Sequence, residues 1–240
     1  MGNSPFKKHI PNTITCCNLL SGCIAAMYAF EGIYLVALVC IITGAVFDFF
    51  DGLTARALKV SSPIGKELDS LADVITFGFA PAAMVFSWIR ECTDTHLRSE
   101  TAVVIPFFAF LLVAFSALRL AKFNIDERQT SSFIGLPTPA NALFWGSLVS
   151  GSHDKVVTHS FGWVAVIALI ILFSWLLIAE IPMFSLKFKN LTWKSNRIAY
   201  TFLFVSLILL IRLGLSGLSA VIGWYIVLSL LTKSGHKTQA

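Results

Sequence analysis

The sequence predicts an all-α bundle of about eight membrane-spanning helices, on three observations. The 240 residues are 56% hydrophobic and only 13% charged, far from an ordinary soluble composition. Apolar runs recur along the chain and approach the roughly 20 residues that a helix needs to cross a bilayer. The runs are continuous rather than alternating, which excludes the strands of a membrane barrel, and a backbone in lipid must satisfy its own hydrogen bonds, as a helix does.

In chain order, a short amino end carries Lys7, Lys8 and His9, and an apolar run follows from Ile14 to Phe30. Further spans are expected near residues 33–56, 68–89, 102–121, 137–151, 161–183, 197–213 and 216–232. The fifth is short and the turn between the last two is tight. With the amino end in the cytoplasm, Arg90, Arg98, Lys155 and Arg212 fall outside, and the other fourteen of the 18 Lys and Arg fall inside. That bias places both termini in the cytoplasm. The net charge of +5 does not point to nucleic acid, because the basic residues sit in loops between spans. Five cysteines show no CxxC or metal-ligand spacing, so no disulfide framework follows.

The stretch Gly44–Pro81 interrupts this apolar background with Asp48, Asp51, Asp69 and Asp73. An ionisable side chain at membrane depth costs roughly 2.5–3.5 kcal/mol by insertion scales, so such residues face a polar cavity and serve a function. Asp48 and Asp51 are three apart, Asp69 and Asp73 four apart, so each pair lies on one face of its own helix. The short link around Leu58–Gly65 is expected to make the two helices antiparallel neighbours and to bring the pairs together. Carboxylates without His or Cys suit a hard ion such as Mg²⁺ or Mn²⁺. Gly52 and Ala55 keep the wall beside them low, and Arg56, one turn on, can take a phosphate bidentately. At 1.5 Å per residue, Asp48 and Asp51 lie roughly 21 and 26 Å from Tyr34, and Asp69 and Asp73 within about two turns of the next span's start. All four therefore sit just below the cytoplasmic surface.

The run Asp48-x-x-Asp51-Gly52-x-x-Ala55-Arg56, eight residues, Gly65, then Asp69 and Asp73, resembles the motif of the CDP-alcohol phosphatidyltransferases at all eight positions. The resemblance implies that the first three aspartates bind a pair of divalent cations. It implies that Asp73 joins them and also acts as general base, and that Gly52, Ala55 and Arg56 contact the CDP moiety. It extends the same role to Asn12 and Thr15, which on the residues alone read as capping or helix–helix contacts, with Asn12 or Thr13 as N-cap and Ser21 as a further polar group. Ser62 resembles a position that contacts the lipid phosphates, with Ser61 its rival.

A second cluster, Arg119-Leu120-Ala121-Lys122-Phe123-Asn124 followed by Gly135-Leu136-Pro137-Thr138-Pro139-Ala140-Asn141, looks like signatures of the phosphatidylserine synthase branch. Its basic residues also suit plain anchoring at a cytoplasmic helix end. The resemblance implies L-serine as acceptor, with Arg119 for its carboxylate and Lys122 and Asn124 beside it. Glu180, inside the sixth span, reads as neutralising a basic neighbour. The implied reaction transfers a phosphatidyl group from CDP-diacylglycerol to serine by single displacement, within one membrane domain over 1–240 with a catalytic core at about 11–184 and additional helices at 197–232. A homodimer facing the cytoplasm from the inner membrane is expected. The rivals are another acceptor (glycerol-3-phosphate, inositol phosphate or choline) and a cation transporter, which the lack of a repeat disfavours.

Overall fold

The computed structural model describes residues 5–97, 101–126, 133–183 and 196–233, and it is almost entirely helical. Helix α1 (Pro5–Phe30) is followed by α2 (Tyr34–Leu58) and α3 (Pro63–Asp73), which runs through a π-helical turn (Val74–Phe79) into α4 (Ala80–His96). A short α5 (Thr101–Val104) passes through a 3₁₀ segment into α6 (Leu111–Ile125). Then come α7 (Thr138–Val157), α8 (Gly162–Ile178), α9 (Arg197–Leu213) and α10 (Gly217–Lys233). Two-residue strands, β1 (Phe133–Ile134) and β2 (Pro182–Met183), pair antiparallel.

Five helical stretches are long and apolar enough to cross a bilayer: His9–Phe30, Tyr34–Leu58, Pro63–His96, Ala102–Ile125 and Arg197–Leu231. The last contains both α9 and α10, broken at Gly214 with φ +59°, and α8 is a shorter apolar helix. Large apolar side chains such as Phe49, Phe204 and Ile211 stand exposed on these helices. That is the surface of an integral membrane protein, with lipid as the covering phase.

Helix boundaries depart from the sequence reading at three places. Helix α1 begins at Pro5, so Asn12 and Thr13 lie inside it rather than capping it, and the Thr13 hydroxyl donates to His9 O. Helix α8 ends at Ile178, which leaves Glu180 beyond the helix instead of within a span. Ala179 already leaves the helical region at ψ 138°, and Pro182 disfavours helical backbone at Ile181, so the helix does not resume. After Asp73 the chain widens into a π turn, and Pro81 supplies the cause: without an N–H it cannot close the α-helical bond to Phe77.

The stretch Pro63–His96 is the most enclosed, with 72% of its apolar window buried against 11% for Arg197–Leu231. Phe77, Met84, Trp88 and Ile89 from this stretch meet Leu38, Ile41 and Trp145 in the core. Helices α2 and α3 do not meet as a simple pair; α1 lies along α2 and also against α3. A short link limits how far apart two helices can sit but not which helix fills the groove between them. Small residues admit α1 there. A Cβ on Gly22 would stand 2.7 Å from Thr76 Cα, and one on Gly44 would stand 2.5 Å from Thr76 Cγ2. Ser21, the further polar group of this stretch, donates to Cys40 O at 2.8 Å and ties α1 to α2. At the far end of α2, the Tyr34 ring lies 4.8 Å from that of His153, which bridges Glu91 and Asp154.

Candidate active site

Three helices build the site. Helix α2 carries Asp48 and Asp51, α3 carries Asp69 and Asp73, and α1 presents Thr15 and Asn18 between them. One oxygen from each of Asp48, Asp51 and Asp69 lies within 4.8 Å of the others. Asp73 adjoins the trio, and Asp48 faces both it and Asp69. Among the described residues none of the four pairs with a Lys or Arg. Asp69 Oδ1 is buried with no hydrogen-bond donor. Carboxylates this close repel one another unless a positive charge lies between them. An all-oxygen set with an orphaned, buried acceptor fits a hard divalent cation.

Helix α1 holds two of these acids in place. The Thr15 hydroxyl lies 2.6 Å from Asp51 Oδ2 and 3.1 Å from Pro11 O, and its one proton favours the nearer, charged acceptor. Asn18 Nδ2 donates to Asp73 Oδ1 at 3.3 Å, while the Asn18 backbone carbonyl accepts from Thr76 Oγ1 at 2.9 Å. Sequence reasoning missed Asn18. Its signal was a polar stripe at Asn12, Thr15 and Asn18, three residues apart and on one face of the helix. Thr15→Val removes the Asp51 donor at nearly constant volume. It is expected to weaken divalent-ion affinity roughly 10- to 100-fold, as loss of an outer-shell partner does, with Thr15→Ser retaining it. The half-saturating metal concentration for turnover and direct ion binding both read this out.

A cavity of about 260 Å³ opens beside the trio, walled by Asn12, Thr15, Asp51, Gly52, Ala55 and Asp69, among others. A Cβ on Gly52 would meet only Arg56 Nη1, at 3.9 Å, so that wall is low and the guanidinium reaches back over it. A Cβ on Gly65 would stand 3.0 Å from both Asn12 Oδ1 and Ser62 Oγ. Ser62 caps α3 by accepting from Gly65 N at 3.0 Å; its own proton remains available, and it lines the cavity together with Ser61. Asn12, Thr15, Gly52, Ala55 and Ser62 thus line one cavity with Asp51 and Asp69.

The three residues expected to hold an acceptor separate. Arg119 is buried and Lys122 exposed, and both line a second hollow of about 240 Å³ with Phe123 and Glu180. Asn124 turns the other way: its Nδ2 donates to Ser70 Oγ at 2.8 Å, and its carbonyl accepts from Lys66 Nζ at 3.1 Å. It fastens the end of α6 to α3 beside Asp69. Gly135, at φ +76°, directly follows Ile134 of the second hollow's lining. Its N–H donates to Ile181 O at 2.9 Å, and a Cβ there would stand 2.8 Å from Leu177 O.

The family described as CDP-alcohol phosphatidyltransferase matches residues 8–186. The chain is similar to the CDP-diacylglycerol–serine O-phosphatidyltransferase of Bacillus subtilis, 36% identical over 135 residues, covering 55% of this chain and 70% of that protein. It is similar to the protein of the same name from Helicobacter pylori strain 26695, 29% identical over 234 residues, covering 92% of this chain and 89% of the other. The archaetidylserine synthase of Methanothermobacter thermautotrophicus is 29% identical over 165 residues, covering 68% of this chain and 66% of that one.

Proposed function

The chain belongs to the CDP-alcohol phosphatidyltransferase family, and from that premise we propose that it is a phosphatidylserine synthase, transferring the phosphatidyl group of CDP-diacylglycerol to the hydroxyl of L-serine and releasing CMP. The observation that carries the reading is the meeting of Asp48, Asp51 and Asp69 beside a cavity whose walls hold Asn12, Thr15 and Gly52. The names of the relatives on both sides of the bacterial–archaeal divide support serine as acceptor.

In this reading Asp48, Asp51, Asp69 and Asp73 hold two divalent cations, Mg²⁺ or Mn²⁺. The chemistry such ions supply is neutralisation of the diphosphate and stabilisation of the departing CMP oxygen. Asn12, Thr15, Gly52, Ala55 and Arg56 bind the cytidine diphosphate, and Ser62 offers its proton to a phosphate oxygen. Asp73 takes the proton of the serine hydroxyl as that oxygen attacks the lipid-side phosphorus. Asn18 occupies Asp73 Oδ1, which leaves Oδ2 as the proton acceptor. Arg119 and Lys122 attract the serine carboxylate, while Asn124 steadies their helix end. No Ser–His or Cys–His pair stands beside the acids among the described residues, so direct displacement is preferred to a covalent intermediate.

The same reading takes the whole chain as one membrane domain of about eight spans, its core at about 11–184 and two further helices at 197–232. Both termini and the acid site face the cytoplasm from the inner membrane, and the protein works as a homodimer. A water-soluble serine then reaches the acids while acyl chains stay in lipid. Purified protein given CDP-diacylglycerol and Mg²⁺ or Mn²⁺ is expected to release CMP with L-serine and far less with glycerol-3-phosphate, inositol phosphate or choline. Release favouring one of those alcohols would reassign the acceptor, and ion movement without CMP would favour a transporter.

A further inference from the structure

The second hollow, at the end of α6, carries both signs of charge. Arg119, Lys122 and Phe123 enter it from α6, Ile134 from β1, and Leu177 and Glu180 from the end of α8 and beyond. Arg119 is only 7% exposed, and its Nε and Nη2 are buried with no hydrogen-bond partner. Those two nitrogens lie on one edge of the guanidinium and lack acceptors, and a planar carboxylate fits such an edge bidentately. Glu180 lies on the same hollow, exposed to water but held by its neighbours, since Gly135 N donates to Ile181 O at 2.9 Å and Ile181 N to Ala179 O at 2.8 Å. Asp126 adds a second acid to the lining.

The hollow adjoins the acid cluster. The Asn124–Ser70 bond pins the end of α6 against the residue next to Asp69, and Arg119 lies within electrostatic range of Asp73. At about 240 Å³ it has room for a small amino acid. A phosphate-bearing alcohol without an amine has no cationic end to offer Glu180. A zwitterion finds a cation for one end and an anion for the other.

On the reading that serine is the acceptor, we infer that Glu180 receives the serine ammonium while Arg119 receives its carboxylate, so that this hollow selects an amino-acid alcohol over a plain hydroxy acid or a phosphorylated alcohol. Asp126 closes the α6 end and does not discriminate. Glu180 thus sets specificity across the hollow from Arg119 without taking part in the proton transfer at Asp73.

The test is CMP release by the full-length protein with L-serine and with 3-hydroxypropionate, which is serine without its amine. Glu180→Gln is expected to raise the KM for serine roughly 10- to 100-fold, the worth of one charge-assisted hydrogen bond. The KM for CDP-diacylglycerol stays near its original value, which also reports an intact fold. The preference for serine over 3-hydroxypropionate narrows by the same factor, and Glu180→Asp restores part of it. Asp126→Asn leaves the preference alone. An unchanged preference in Glu180→Gln, or its loss in Asp126→Asn instead, overturns the assignment. Failure of the unmodified protein to use serine at all would instead sink the functional reading on which it rests.

Discussion

Asp73→Asn is expected to lower kcat for CMP release by roughly 10²- to 10⁴-fold, the contribution of a positioned general base. The amide occupies the same space but cannot take the serine proton. Asn18 Nδ2 sits 3.3 Å from Asp73 Oδ1, and that contact survives if the new side chain turns its carbonyl oxygen toward Asn18. The trio of Asp48, Asp51 and Asp69 is untouched, as are the cavity walls at Asn12, Gly52 and Ala55. CDP-diacylglycerol binding should therefore persist while chemistry stops. A binding assay beside single-turnover kinetics separates the two. Turnover at the normal rate would remove Asp73 from the reaction, and loss of binding alone would make it a structural residue.

The four aspartates were legible because they break apolar runs at spacings of three and four, and both facts survive folding unchanged. Their convergence was legible for the same reason, but the means was not. Periodicity tells which face of a helix a residue occupies; it does not tell which neighbour that face meets. Helix α1 therefore went unseen as the wedge between α2 and α3, although Gly22, Ala25, Ala26 and Ala29 already marked a face narrow enough for close packing. The π turn after Asp73 leaves no trace in composition beyond Pro81, whose missing donor reads equally well as a kink. Glu180 was misplaced because the apolar run continues past Ile178, and hydropathy cannot see that Ala179 leaves the helical region or that Pro182 and the pairing with Gly135 keep the helix from resuming. The two basic residues of α6 were found by sequence, but their common hollow was not, because its other wall comes from residues some sixty positions later.

Asp69→Asn is expected to move stability and activity in opposite directions. Three carboxylate oxygens within 4.8 Å, with no Lys or Arg side chain paired to them among the described residues, hold the metal-free protein in a repelled state. Adding Mg²⁺ or Mn²⁺ to the unaltered protein should raise its unfolding temperature, since an ion at a hundred times its Kd contributes about 2.7 kcal/mol. Asn at position 69 removes one anion and gives the orphaned Oδ1 position a neutral occupant. The metal-free variant should then unfold at or above the temperature of the metal-free parent, its shift with added ion should shrink, and CMP release should be lost. Thermal unfolding in detergent, with and without each ion and after chelation, reads all of this in one series. The reverse pattern, with no shift in the parent and a less stable metal-free variant, would mean that the acids share protons or stabilise the fold directly. Clustered like charge is costly in a largely apolar bundle, so the sign of that change decides whether the cluster exists for a cation or for the fold.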